Sequence, residues 1–133
     1  MKLYQDFEIE LKNNVDEFIA LLLANIQSSK EWSIDEALQK EKQSDIAGWK
    51  DKIYCIVTPK INYEDNVLFA NIWLSQKDNK LEIVNITPKG NSMLLAEEYN
   101  FIIAKFEETF INPLKKAFEF KVTKSDEELN IKN

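Results

Sequence analysis

The stretch Val67 to Thr87, VLFANIWLSQKDNKLEIVNIT, constrains the fold more than any other part of the chain. Two runs rich in Val, Ile, Leu, Phe and Trp flank the polar segment Gln76-Lys77-Asp78-Asn79-Lys80, which is the pattern of a β-hairpin. Asp and Asn both tolerate the positive φ of a tight turn, so Asp78-Asn79 is the expected two-residue connection. Leu74 then faces Ile83, and Trp73 faces Val84. One side of the hairpin would carry Leu68, Ile72, Leu74, Leu81 and Ile83, and the other Phe69, Trp73, Val84 and Ile86. A strand pair apolar on both sides belongs at the centre of a sheet covered on both faces.

The rest of the chain supplies the covers. Phe7, Ile9 and Leu11 alternate with acids and a lysine, as in a half-buried strand. Val15, Phe18, Ile19, Leu22, Leu23 and Ile26 recur at helical spacing, so a helix over Val15–Gln27 is expected. Asn14 and Glu17 would form its capping box. Ser33 to Glu36 reads as a second capping box, with Trp32 stapled onto Ala37 and a short helix through Leu38. The apolar-free run Gln39 to Asp45 reads as a solvated loop or helix end, and Trp49 as an anchor leading into a buried strand over Ile53–Thr58. Pro59 ends that ladder or marks a bulge, with Ile61 and Tyr63 continuing the strand beyond it. Leu95, Tyr99, Ile102, Ile103, Phe106, Phe110 and Leu114 make a second helical stripe, with a break or kink expected at Pro113. Phe118, Phe120 and Val122 alternate as a last strand, and Ser125 with Glu128 would cap a final turn before a fraying end. The expected fold class is therefore α+β: one domain over residues 1–133, an antiparallel sheet of four or five strands with a meander core, and helices Val15–Gln27 and Leu95–Ile111 packed on it.

Composition narrows the chemistry. With 133 residues and 44% apolar residues the chain is long enough to bury a core without disulfides or metals. It has no His, which removes imidazole bases, Ser-His and Cys-His nucleophile pairs and ordinary zinc sites. All 17 cations are Lys, so the bidentate guanidinium fork is missing as well. A net charge of −6 disfavours nucleic acid and favours rapid encounter with basic partners. The single Cys55 sits inside the apolar run IYCIV and reads as a buried small hydrophobe. The acidic start MKLYQDFEIE lacks the cationic and apolar parts of a signal peptide, and no apolar run reaches bilayer length. The expectation is a soluble cytoplasmic protein with no catalytic residue, cofactor, metal, nucleic-acid or membrane partner.

Glu97-Glu98 and Glu107-Glu108 point about 100° apart on a helix and so form no facing dyad, which makes them solvated surface acids. Glu97, Phe101, Ala104 and Glu108 share the helix face opposite the apolar stripe. Phe101 is then either covered by the Ser28–Lys52 segment or exposed with acids around it. In the second case these four residues are a candidate partner-binding patch for a cationic protein. Asn85-Ile86-Thr87-Pro88, Leu94-Leu95, Glu98-Tyr99-Asn100, Phe106 and Pro113 together resemble a small bacterial family in which a strand ending N-I-x-P precedes a helix carrying Y-N and a late proline. In size, acidity and element pattern the chain is also similar to immunity proteins of bacterial toxin systems. That likeness implies a non-enzymatic neutraliser of a basic effector. Two rivals stand beside it: an enzyme using carboxylate, Lys or Tyr groups in a pocket between helix and sheet, and a homodimer through the Phe101 face.

Overall fold

In the computed structural model, which describes residues 4–45, 51–90 and 93–125, the hairpin is at the centre of the sheet. Strands β6 (Ala70–Lys77) and β7 (Lys80–Pro88) pair antiparallel around Asp78-Asn79, with Lys77 opposite Lys80 and Asp78 alone of the two at positive φ. Leu74 is opposite Ile83 as expected, but Trp73 is opposite Asn85 and not Val84, because a β-bulge shifts the register between Trp73 and Leu74. Val84 is the extra residue. The bulge restores Ile86 to the face that carries Ile72, Leu74, Leu81 and Ile83, and leaves Val84 exposed.

The other strands assemble on this pair. Upstream of the hairpin lie β1 (Asp6–Leu11), β2 (Ser33–Ile34) and β3 (Lys52–Val57), and downstream β8 (Phe120–Ser125). The sheet has six strands in the order β2-β3-β6-β7-β1-β8, every pair antiparallel, one or two more than the sequence implied. The meander β3-β6-β7 forms its middle. Residues Ile61 and Tyr63 do not prolong β3. They lie in β4 (Ile61–Tyr63), which pairs with β5 (Asn66–Leu68) as a separate two-stranded hairpin turning through Glu64 at positive φ.

One face of the sheet is fully covered. Helix α1 (Val15–Ser28) buries Phe18, Ile19, Leu22 and Ile26, as its spacing predicts. Helix α3 (Ala96–Phe106) buries Tyr99, Ile102, Ile103 and Phe106. It then widens into a π-helical turn, Glu107–Ile111, and tightens into a 3₁₀ turn, Asn112–Lys116, that accepts Pro113 near its start. The expected interruption at Pro113 therefore takes the form of a changed helical pitch. Trp32 completes a triangle of rings with Phe106 and Phe110, whose centroids lie 6.3 and 5.2 Å from its own and 5.9 Å from each other. Trp32 is thus a core residue and not a staple onto Ala37, which is exposed.

Both expected capping boxes are replaced by other geometry. Asn14 precedes α1 at φ 59° and makes no side-chain cap bond. Ser33 and Ile34 pair with Val57 and Ile56, so the cap moves to Asp35, whose Oδ1 accepts the Leu38 N–H at 2.9 Å. The short helix expected through Leu38 and the charged run expected as loop or helix end form one helix, α2 (Glu36–Asp45). It is attached to the sheet edge by side-chain amides. Gln39 Oε1 accepts the Cys55 N–H and Gln43 Oε1 accepts the Ile53 N–H, both at 2.9 Å, while Gln43 Nε2 donates to Asp51 O. Two glutamines four residues apart thereby satisfy the β3 edge beyond the short β2.

Among the described residues, the second face of the sheet is covered only here. Ile53, Cys55 and Trp73 form a small cluster under Leu38 of α2. Toward β7, β1 and β8 the same face is polar, with Glu82 and Glu10 exposed. The expectation of a central hairpin holds, but its second cover is partial, because the bulge removes Ile86 from that side. The expected roles of Trp49 and of a Ser125–Glu128 cap lie outside the described residues. Among the described residues no helix is long and apolar enough to cross a membrane.

Candidate functional site

The carboxylates of α3 divide by burial, which their sequence spacing did not show. Glu98 is buried: its Oε1 accepts the Leu95 N–H and its Oε2 accepts the Asn66 side-chain amide, each at 2.9 Å. It locks the β4–β5 hairpin to the start of α3 and is no solvated acid. Glu107 takes the Lys124 ammonium at 2.7 Å and is largely enclosed, so it too is structural. Glu97 and Glu108 are exposed.

Phe101 is half-buried, and among the described residues the ring it meets comes from β4 and not from the Ser28–Lys52 segment. It packs on the core and against Tyr63 of β4, with ring centroids 4.6 Å apart and planes inclined by 44°. The Lys105 ammonium lies 5.5 Å from the Phe101 ring centre, a cation–π contact within the helix. The Tyr63 phenol is pushed above its ordinary value, first by desolvation and then by Glu64, Glu97 and Glu98. The aromatic pair therefore sits in a negative field supplied by two elements far apart in sequence. Ala104 and Glu108 are exposed further along the helix.

Three residues absent from the sequence-based patch are exposed on the same two elements. Val67, Met93 and Leu95 are 60, 83 and 58% exposed, and they line one depression between the β4–β5 hairpin and the start of α3. Leu95, read from spacing as the first residue of the buried stripe, is instead the residue that opens the helix, and Leu94 is buried in its place. The signal was the run Met93-Leu94-Leu95: three large apolar side chains in extended chain cannot all face one core.

The Glu98-Tyr99-Asn100 motif is scaffold. Tyr99 meets Tyr4 edge-on at 4.9 Å, and Asn100 Oδ1 accepts the Gln5 N–H at 2.7 Å. Cys55 is buried and its thiol is pushed up to about 11, by desolvation first and the Asp35 carboxylate second, with Lys89 opposing. It is not a poised nucleophile. Among the described residues no group of three or more Cys, Asp and Glu side chains is placed to hold a metal ion. Comparison with protein-family models, curated proteins and solved structures finds no match for this chain in any of the three.

Proposed function

We propose that this chain is a non-enzymatic protein-binding module that engages a basic partner, in the manner of an immunity or antitoxin-type neutraliser. The surface is the one built by the β4–β5 hairpin and the start of α3. The observation that carries the reading is that the β4–β5 hairpin and the chain opening α3, which gather exposed Val67, Met93 and Leu95 in one depression, also carry the Tyr63–Phe101 pair and its acids. Large apolar side chains gathered on a surface and rimmed by charge are what a protein interface is built from. The acids give the encounter its sign and its salt dependence, while the desolvated anchors give residence time. A neutraliser with nanomolar affinity needs about −12 kcal/mol, which a few anchors supply and diffuse charge does not.

The test is capture from the native cell followed by titration of the purified partner. The partner is expected to be basic, and its association rate to fall with added salt. Met93→Asp and Leu95→Asp, both at exposed positions, are expected to weaken binding about a hundredfold, and Glu97→Gln less than fivefold. Phe101→Ala should fall with the first pair. Equal affinity of wild type and the two Asp variants sinks the proposed surface. A wild type that sediments as a dimer, with Leu95→Asp a monomer, assigns the surface to a second copy of the chain and overturns the basic-partner reading.

A further inference from the structure

On the sheet face opposite α1 and α3, α2 leaves a groove of about 370 Å³. Its apolar wall is Leu38, Ile53, Trp73 and Val84, and its polar groups come from Asn71, Asn85, Thr87 and Lys42. The volume falls in the range of small-molecule sites. Taking ~30 Å³ as one water's share of the liquid, it holds about a dozen non-hydrogen atoms.

The polar groups are unevenly satisfied. Trp73 Nε1 donates to Thr87 Oγ1 at 3.1 Å, which leaves the threonine hydroxyl its own proton to donate. Asn85 Oδ1 accepts the Ile86 N–H at 2.9 Å. Asn71 is only 7% exposed, and its Oδ1 is buried without a hydrogen-bond partner among the described residues. A buried acceptor left unpaired in a native structure asks for an explanation, and a donor brought by a ligand is one. Asn71 cannot be dismissed as a surface amide. It is the β6 residue paired with Val57 on one side and Thr87 on the other, at the middle of the sheet. Lys42 is four residues beyond Leu38 on α2 and so shares its helical face. It puts a cation on a groove whose lining contains no carboxylate.

We infer that this groove binds a small planar aromatic acid bearing an N–H: the ring against Leu38, Ile53 and Trp73, the N–H to Asn71 Oδ1 once the amide turns that buried oxygen toward the groove, and the acid toward Lys42. The site is independent of the α3 surface, and either can fail without the other. Titration calorimetry with three probes separates the contributions. Indoleacetate carries ring, N–H and carboxylate; naphthaleneacetate lacks the N–H; methylindole lacks the carboxylate. Indoleacetate is expected to bind in the millimolar range or tighter, and each of the other two about three- to tenfold more weakly. Asn71→Leu should remove the advantage of indoleacetate over naphthaleneacetate. Lys42→Glu, at an exposed helical position that the fold does not depend on, should weaken both acids and leave methylindole unchanged. The Trp73 indole N–H resonance should shift in every complex. If none of the probes binds at several millimolar, or naphthaleneacetate matches indoleacetate on the wild type, the inference is overturned. The same holds if Lys42→Glu binds both acids as the wild type does. Should Asn71→Leu fail to fold, the probe comparison and Lys42→Glu still decide.

Discussion

The two faces of the sheet are held by different physics. The face under α1 and α3 is closed mainly by apolar side chains, with Phe18, Ile26, Ile102 and Phe106 all fully buried. Among the described residues, the face under α2 is closed by one leucine and two glutamine amides, over a cluster of Ile53, Cys55 and Trp73. The first is stabilised in proportion to area removed from water. The second is attached by a few directional bonds to backbone groups that would otherwise lie unpaired at a sheet edge. A continuous apolar seam leaves no room for a ligand, whereas a helix held by its polar edge can stand off and form a groove.

The largest expected effect separates the two directly. Phe106→Ala removes a fully buried ring that meets Phe7, Trp32 and Phe110, and should cost about 3–5 kcal/mol. Leu38→Ala, half-buried on the other face, should cost less than about 2 kcal/mol. Urea unfolding midpoints at unchanged slope measure both. Equal losses would mean that α2 is held by burial after all.

The same contrast decides what could be read from the sequence. Helix α1 was legible because Phe18, Ile19, Leu22 and Ile26 must all face one way, and burial of that size overrides local preference. Helix α2 was legible only as far as Leu38; its continuation to Asp45 was not, because glutamine amides bonding to a strand edge leave no periodic apolar mark in QKEKQSD. The bulge at Val84 was hidden for a related reason. Leu, Ile and Val on alternate positions fit either register, and only three-dimensional packing selects the one that buries Ile86. Phe101 and Glu97 were legible as neighbours on a helix, but Tyr63 was not, since the β4–β5 hairpin that brings it there is 38 residues earlier in the chain. The caps misled for a simpler reason: Ser33 had a strand to pair with, and that bond outcompetes a local turn.

A smaller effect is expected from the glutamines. Gln43→Ala leaves the Ile53 N–H and the Asp51 carbonyl without their partners, and Gln39→Ala frees the Cys55 N–H. Each should cost about 1–2 kcal/mol, with hydrogen exchange at Ile53 and Cys55 accelerated while that at Ile72 and Leu74 changes only as far as global stability does. Protection at Ile53 that survives both substitutions would show that something other than the amides closes the β3 edge.

Cys55 gives the smallest effect and the finest probe of the outer cover. Burial raises its thiol from an ordinary 9.0 to about 11, with the Asp35 carboxylate adding to the rise and Lys89 opposing it. Because the neutral form is the one the fold prefers, the contribution to stability is fully present below about pH 9, where folded and unfolded chains are both protonated. Above that the unfolded chain ionises first, and the contribution is lost as pH rises through about 11. Stability of the wild type relative to Cys55→Ala should therefore decline over that interval and be flat between pH 6 and 8. At pH 8 only about one thiol in a thousand would be ionised even if reagent could reach it, so alkylation should be far slower than that of an unfolded cysteine. Loosening α2 with Gln39→Ala and Gln43→Ala should speed alkylation, whereas Phe106→Ala should speed it only in proportion to global unfolding. A thiol that reacts at pH 8 as fast in the native wild type as in urea would mean that Leu38 and Trp73 do not keep water from the strand beneath them, and the distinction between a sealed face and an attached one would lose its physical basis.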